Sequence, residues 1–82
     1  MKSIIKIMNM ESQNDAKKIE QAIVKNNGII ASQTSLKTQE VTVIYNDSFL
    51  KLENIIESIE DLGYIVIYVI YIKIILMSDK IL

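Results

Sequence analysis

Between Met8 and Glu20 the chain reads Met-Asn-Met-Glu-Ser-Gln-Asn-Asp-Ala-Lys-Lys-Ile-Glu, a polar loop running into a helical pattern, and chemistry is expected here first. Met8 and Met10 carry thioether sulfurs, soft donors acceptable to Cu(I). Glu11 and Asp15 carry carboxylates, but two are a sparse set for Mg²⁺ or Ca²⁺. Ser12 has a hydroxyl with no base near it in sequence to make it a nucleophile. Each of these residues also has a structural role open to it. Methionine fills irregular gaps in cores. Ser12 suits a helix N-cap, and Asp15 then falls in the first turn, at the positive end of the helix dipole. We take the structural roles as the first expectation.

Several chemistries are removed by what the 82 residues lack. There is no histidine and no cysteine. The commonest general base, the thiol nucleophile, the disulfide and the thiolate metal site all go with them. There is no arginine either, and the lysines are scattered along a chain of formal net charge −1. A nucleic-acid surface needs clustered basic residues and is not expected. Tyr64, Tyr68 and Tyr71 do not share one strand face and have no basic frame for stacking bases. A hydrolase of the acylphosphatase kind, built on a small α+β scaffold, would need an arginine to hold its oxyanion. No catalytic residue is assigned. Glu53, Glu57, Glu60 and Asp61 form an acidic group, a solvated helix face or a docking surface for a basic partner. The first residues, Met1-Lys2-Ser3-Ile4-Ile5-Lys6, lack the long apolar core of a signal peptide, so the expected compartment is the cytoplasm.

The elements that must position the loop follow from periodicity. Ser3–Met8 reads as a strand, with Ile5 and Ile7 on one face and Lys6 on the other. Ala16, Ile19, Ala22 and Ile23 recur at helical spacing, and Asn26-Asn27-Gly28 closes that helix. Ile29–Leu36 is a poorly apolar strand, suited to a sheet edge. Lys37–Gln39 is a turn, and Glu40–Tyr45 a clear strand with Val41 and Val43 on one face. After Asn46-Asp47-Ser48 a second amphipathic helix is expected, its apolar stripe made by Phe49, Leu52, Ile55, Ile56, Ile59 and Leu62, with Gly63 ending it. Tyr64 opens the last strand. A strand of typical length, about 5–6 residues, would end near Val69. The apolar residues that follow, as far as Met77, need a partner: an extension on the same domain, a strand shared with a second copy, or a membrane anchor. The last is not favoured, because a spanning helix needs roughly 20 apolar residues and Lys73 interrupts the run.

With the order strand, helix, strand, strand, helix, strand in place, the residues resemble the heavy-metal-associated domain of copper chaperones and of the amino-terminal tails of copper-transporting P-type ATPases. The resemblance runs from about Ile4 to Val66. It is carried by Asn9-Met10 where the family has Gly-Met, by Lys18–Ile23, by Gly28-Ile29, by Glu40–Tyr45, and most specifically by Leu52 through Tyr64, ending Ile-Glu-Asp-Leu-Gly-Tyr. It implies an α+β, ferredoxin-like βαββαβ sandwich, a four-stranded antiparallel sheet with two helices on one face. The implied strand order is fourth, first, third, second. The domain is expected over residues 1–70, with 71–82 as an apolar strand extension or tail. In the family, Met-x-Cys-x-x-Cys grips Cu(I), Zn(II) or a similar soft ion. Here Met10, Ser12 and Asp15 stand at those positions, so both thiolates are gone. The family's methionine tucks beneath the loop, and the residue matching Tyr64 lies beside it. The expectation is a degenerate metal-binding domain, not an enzyme, with no tight cofactor and at most weak Cu or Zn at Met10, Ser12 and Asp15. It would act by protein contact, through self-association along the C-terminal strand or with a related metal-transport domain.

Overall fold

Alternation along the first strand sets the inside and the outside of the molecule. In the computed structural model, which describes residues 1–72, β1 (Lys2–Ile7) buries Ser3, Ile5 and Ile7 and turns Lys2, Ile4 and Lys6 to the other face. β3 (Glu40–Tyr45) buries Val41, Val43 and Tyr45 in the same way. The two strands pair antiparallel with Ser3 opposite Val43 and Ile5 opposite Val41, so one face of the pair is entirely core. β2 (Ile29–Ser35) pairs with β3, and β4 (Val66–Ile72) with β1, both antiparallel, giving the order β2-β3-β1-β4. Two helices, α1 (Gln13–Val24) and α2 (Leu52–Glu60), complete the βαββαβ chain. This is the ferredoxin-like α+β sandwich, with the strand order the resemblance implied.

Helical spacing supplies the other half of the core. α1 contributes Ala16, Ile19 and Ile23, and α2 contributes Leu52, Ile55 and Ile59. These pack with the buried strand residues and with Met10 in one cluster. Burying an isoleucine is worth about 1.5–3 kcal/mol, so this cluster is the main source of stability. Its one polar intruder is accommodated locally: Ser3 Oγ and Tyr45 Oη, both buried, hydrogen-bond each other at 3.1 Å. At the end of α1, the Asn26 side chain donates to the Ile23 carbonyl at 3.1 Å and to Ser58 Oγ of α2 at 3.1 Å. Gly28 then turns the chain at φ +106, where a Cβ would also come within 3.1 Å of the Leu50 Cβ. Both the left-handed backbone and the close approach require glycine there.

The apolar stripe expected from Phe49 to Leu62 is corrected at both ends. Phe49 is 76% exposed and Leu62 46% exposed, and neither lies in α2. Asn46 holds a turn by accepting at its carbonyl from the amides of Phe49 and Leu50, at 3.0 and 3.1 Å. The chain then passes through Lys51 in extended conformation before the helix begins. The helical phase therefore starts at Leu52, and Leu50 takes the core position that periodicity had given to Phe49. Leu62 lies beyond the C-cap, Asp61, in the turn closed by Gly63 at φ +97.

β4 starts at Val66 rather than Tyr64 and runs past Val69 to Ile72. Its register against β1 shifts between Lys6 and Ile7, leaving Ile67 as an extra residue in a bulge. A similar shift in β2 throws out Ile30, which is 68% exposed. The apolar run from Lys73 to Met77, and with it most of the expected 71–82 extension, lies outside the described residues. Among the described residues, no helix is long and apolar enough to cross a membrane.

Candidate functional site

α1 begins where the sequence analysis placed its cap. Ser12 has extended backbone (φ −136, ψ 165), and its Oγ accepts a hydrogen bond from the Asp15 amide at 3.1 Å. Asp15 Oδ2 in turn accepts from the amides of Glu11 at 2.9 Å and Ser12 at 3.1 Å. This is a capping box, with aspartate in the position glutamate or glutamine more often takes. The second carboxylate oxygen is also engaged: Tyr64 Oη donates to Asp15 Oδ1 at 2.5 Å. Ser12 and Asp15 are thus bonded to each other's backbone, and Asp15 also to Tyr64 in the loop that leads into β4.

Met10 lies beneath this cap and is fully buried, as the resemblance implied, so it presents no accessible sulfur. Met8 is 52% exposed. The structure therefore does not bring the two thioethers to a common accessible spot. Glu11 is exposed, contributing its amide rather than its carboxylate to the cap. Among the described residues, no three His, Cys, Asp or Glu side chains group closely enough to hold a metal ion.

Two residues that periodicity did not single out fix the loop. Gln39, at φ 57 in the turn between β2 and β3, donates from Nε2 to the carbonyls of Met8 and Met10, each at 3.1 Å. Its own carbonyl accepts from the Ile7 amide at 2.9 Å. Asn9 accepts at Oδ1 from the Ile65 amide at 2.9 Å and donates from Nδ2 to the Gly63 carbonyl at 3.3 Å. The loop is therefore tied to the hairpin on one side and to the α2–β4 connection on the other. Gln39 leaves no local trace in sequence, because its partners are about thirty residues away. Asn9 does leave one, since the resemblance sets a glycine at its position; its side chain adds to the tie that the Met8 amide makes by donating to the Ile65 carbonyl at 2.8 Å.

The electrostatics follow from these bonds. The Tyr64 hydroxyl, then the backbone amides, stabilise the charged Asp15 and hold its pKa at about 2, below the usual 3.8. The same bond, which needs the phenolic proton, pushes Tyr64 up to about 12, with some desolvation and the carboxylate's charge adding to it. The stabilising contribution of Asp15 is complete above its unfolded value and is lost as pH falls from 3.8 through about 2. That of Tyr64 is complete below 10.0 and is lost as pH rises through about 12. Replacing Tyr64→Phe removes the largest cause of the Asp15 shift. We expect the Asp15 carboxyl ¹³C titration to move upward towards 3.8 in that variant. An unchanged midpoint would mean that the amides alone set it.

The comparisons with known proteins agree with this geometry. Residues 4–64 match the model of the heavy-metal-associated domain. The copper chaperone CopZ of Staphylococcus epidermidis is 38% identical over 61 residues, which is 74% of this chain and 90% of that protein. The structure of a CopZ metallochaperone superposes with a TM-score of 0.79 at 25% identity, covering 82% of this chain and all of that one. The solution structure of a putative copper-ion-binding protein from Bacillus anthracis gives 0.77 at 26% identity, covering 80% of this chain and 93% of that one. A family match over most of the chain, on a fold of the same topology, leaves one conclusion: this protein belongs to the heavy-metal-associated domain family, as a member that contains no cysteine.

Proposed function

We propose that this domain works through contact with other protein surfaces and does not carry a soft metal ion in its motif loop. The observation that supports this most is the self-satisfied cap. Both oxygens of the Asp15 carboxylate already accept hydrogen bonds, Oδ1 from Tyr64 and Oδ2 from the Glu11 and Ser12 amides. A hydroxyl and a carboxylate are in any case hard donors, poorly matched to Cu(I). The family is one of non-catalytic domains, and no step of chemistry is assigned to this one. Its proposed partners are a related metal-transport domain or a second copy of the chain. The exposed Glu53, Glu57, Glu60 and Asp61 offer an acidic face to a basic partner.

A metal titration followed by amide NMR tests the reading. With Cu(I) kept reduced, and separately with Zn(II), the Asn9, Glu11, Ser12 and Asp15 amides should stay in place at micromolar ion. Selective, saturable shifts confined to that loop would overturn it in favour of weak metal binding at Met10, Ser12 and Asp15.

A further inference from the structure

Among the described residues the sheet has two edges, β2 and β4, and they differ in chemistry. β2 begins with Ile29, Ile30 and Ala31, Ile30 being thrown out in its bulge, but its regular half presents Ser32, Gln33, Thr34 and Ser35, polar residues that leave little for another strand to bury. β4 presents the opposite. From Leu62 to Ile72 there is no charged residue and no proline. Ile65, Ile67, Tyr68 and Ile70 are each 45–50% exposed. Edge strands ordinarily resist pairing by an inward charge, a proline, a bulge or shortness. β4 has seven residues, and its one bulge, at Ile67, leaves Tyr68 to Ile72 in regular register with Lys6 to Lys2.

We infer that β4 pairs antiparallel with the β4 strand of a second copy, joining two four-stranded sheets into one. This rests on the contact reading above and names its partner. The register decides for a second copy. Val69 lies opposite Ile5 and packs on the core, whereas Tyr68 and Ile70 lie opposite Lys6 and Ile4 on the helix-free face. A two-fold axis through Val69 sets Val69 against itself on the core face. On the open face it sets Tyr68 against Ile70 of the other copy, twice. Aromatic and β-branched pairs of this kind are among the favourable cross-strand matches. A slip of one residue would put Tyr68 against Val69, on opposite faces, whereas slips of two keep the faces but set Tyr68 or Ile70 against itself, so the Tyr68–Ile70 match is what favours the register centred on Val69. No like charges meet across the two β4 strands, because neither carries a charge from Val66 to Ile72. Any other partner must bring an apolar edge of its own; a second copy brings the same β4 edge, which has no further strand beside it among the described residues. One strand pair buries less than the roughly 800 Å² per partner of a standard interface, so the dimer is weak and concentration-dependent.

Sedimentation of the full chain from about 10 to about 500 μM should show the mass of one chain at the low end and of two at the high end. Ile70→Lys should weaken the dimer about tenfold or more while retaining the native circular dichroism. Register is tested in a second way. The chain has no cysteine, so introduced thiols report only their own contacts. A mixture of Tyr68→Cys and Ile70→Cys chains should form the mixed disulfide faster than either chain forms its own, and Gln33→Cys on the polar edge should form little. A monomer at every concentration, including one whose edge is covered by its own residues 73–82, overturns the pairing. So does cross-linking that is equal at position 33. If that happens while the metal titration stays silent, pairing alone fails and the contact reading stands. Loop shifts on metal addition overturn the contact reading itself, whatever the oligomeric state.

Discussion

Exchanging Ser12 and Asp15 together for cysteine should give this chain a tight Cu(I) site that holds one ion per domain. The frame is already built. Ser12 and Asp15 occupy the N-cap and third positions of α1, and their side chains already meet each other's backbone at 3.1 Å in both directions. Two thiols at these positions would share one small space at the positive end of the helix, where thiol pKa values fall and thiolates form readily. Thiolates supply the softness that the hydroxyl and the carboxylate lack. Without metal, the double variant should be less stable than its parent, because the capping box is lost; the serine half alone is worth about 1 kcal/mol. With free Cu(I) buffered about a thousandfold above the dissociation constant, binding adds about 4 kcal/mol of stability. For a domain of this size that is a rise in Tm of about 15–30 °C. Calorimetry with and without a Cu(I) buffer reads it directly, and titration against a chromophoric chelator gives the stoichiometry. Either cysteine alone should give only a small fraction of the effect. Should the double variant bind no better than the parent, the loop would no longer be a metal frame, and more than the two ligands would have changed.

Much of this geometry can be read from the sequence, and the exceptions have physical causes. Ile5 and Ile7 against Lys6, and Val41 and Val43 against Thr42, give the sheet its faces because strand alternation is strict. Ser12 and Asp15 read as a cap because both halves of the bond lie within one turn. Only the family resemblance puts Tyr64 near the loop, since nothing local links residues 15 and 64. Phe49 shows the limit of periodicity. It lies on the helical stripe by spacing, but the Asn46 turn and the extended Lys51 break the helical phase just before Leu52. Gln39 shows a second limit: its two bonds to Met8 and Met10 join segments that only the β2–β3 turn brings together. The bulges at Ile30 and Ile67 are a third, because one extra residue in a β-branched run leaves no mark on composition.

Met10 is the residue at which packing and ligation make opposite predictions. Its side chain is fully buried in the core cluster, under a loop whose carbonyls at Met8 and Met10 are held by Gln39. Met10→Ala should therefore cost about 2–5 kcal/mol, through lost apolar burial and a cavity that a loop pinned on two sides cannot collapse to fill. A domain of 82 residues has only about 4–12 kcal/mol in total, so urea denaturation of this variant should show a large fall in midpoint at unchanged slope. Met10→Leu removes the sulfur but keeps the volume, and should cost less than about 1.5 kcal/mol. If the sulfur were what the position requires, leucine would be as damaging as alanine to any metal-dependent rise in stability. If shape is what it requires, leucine restores most of what alanine loses. The second outcome also bears on the restored site. Two thiolates at positions 12 and 15, above a leucine at position 10, should bind Cu(I) nearly as well as above methionine, because the buried residue supports the loop without touching the ion.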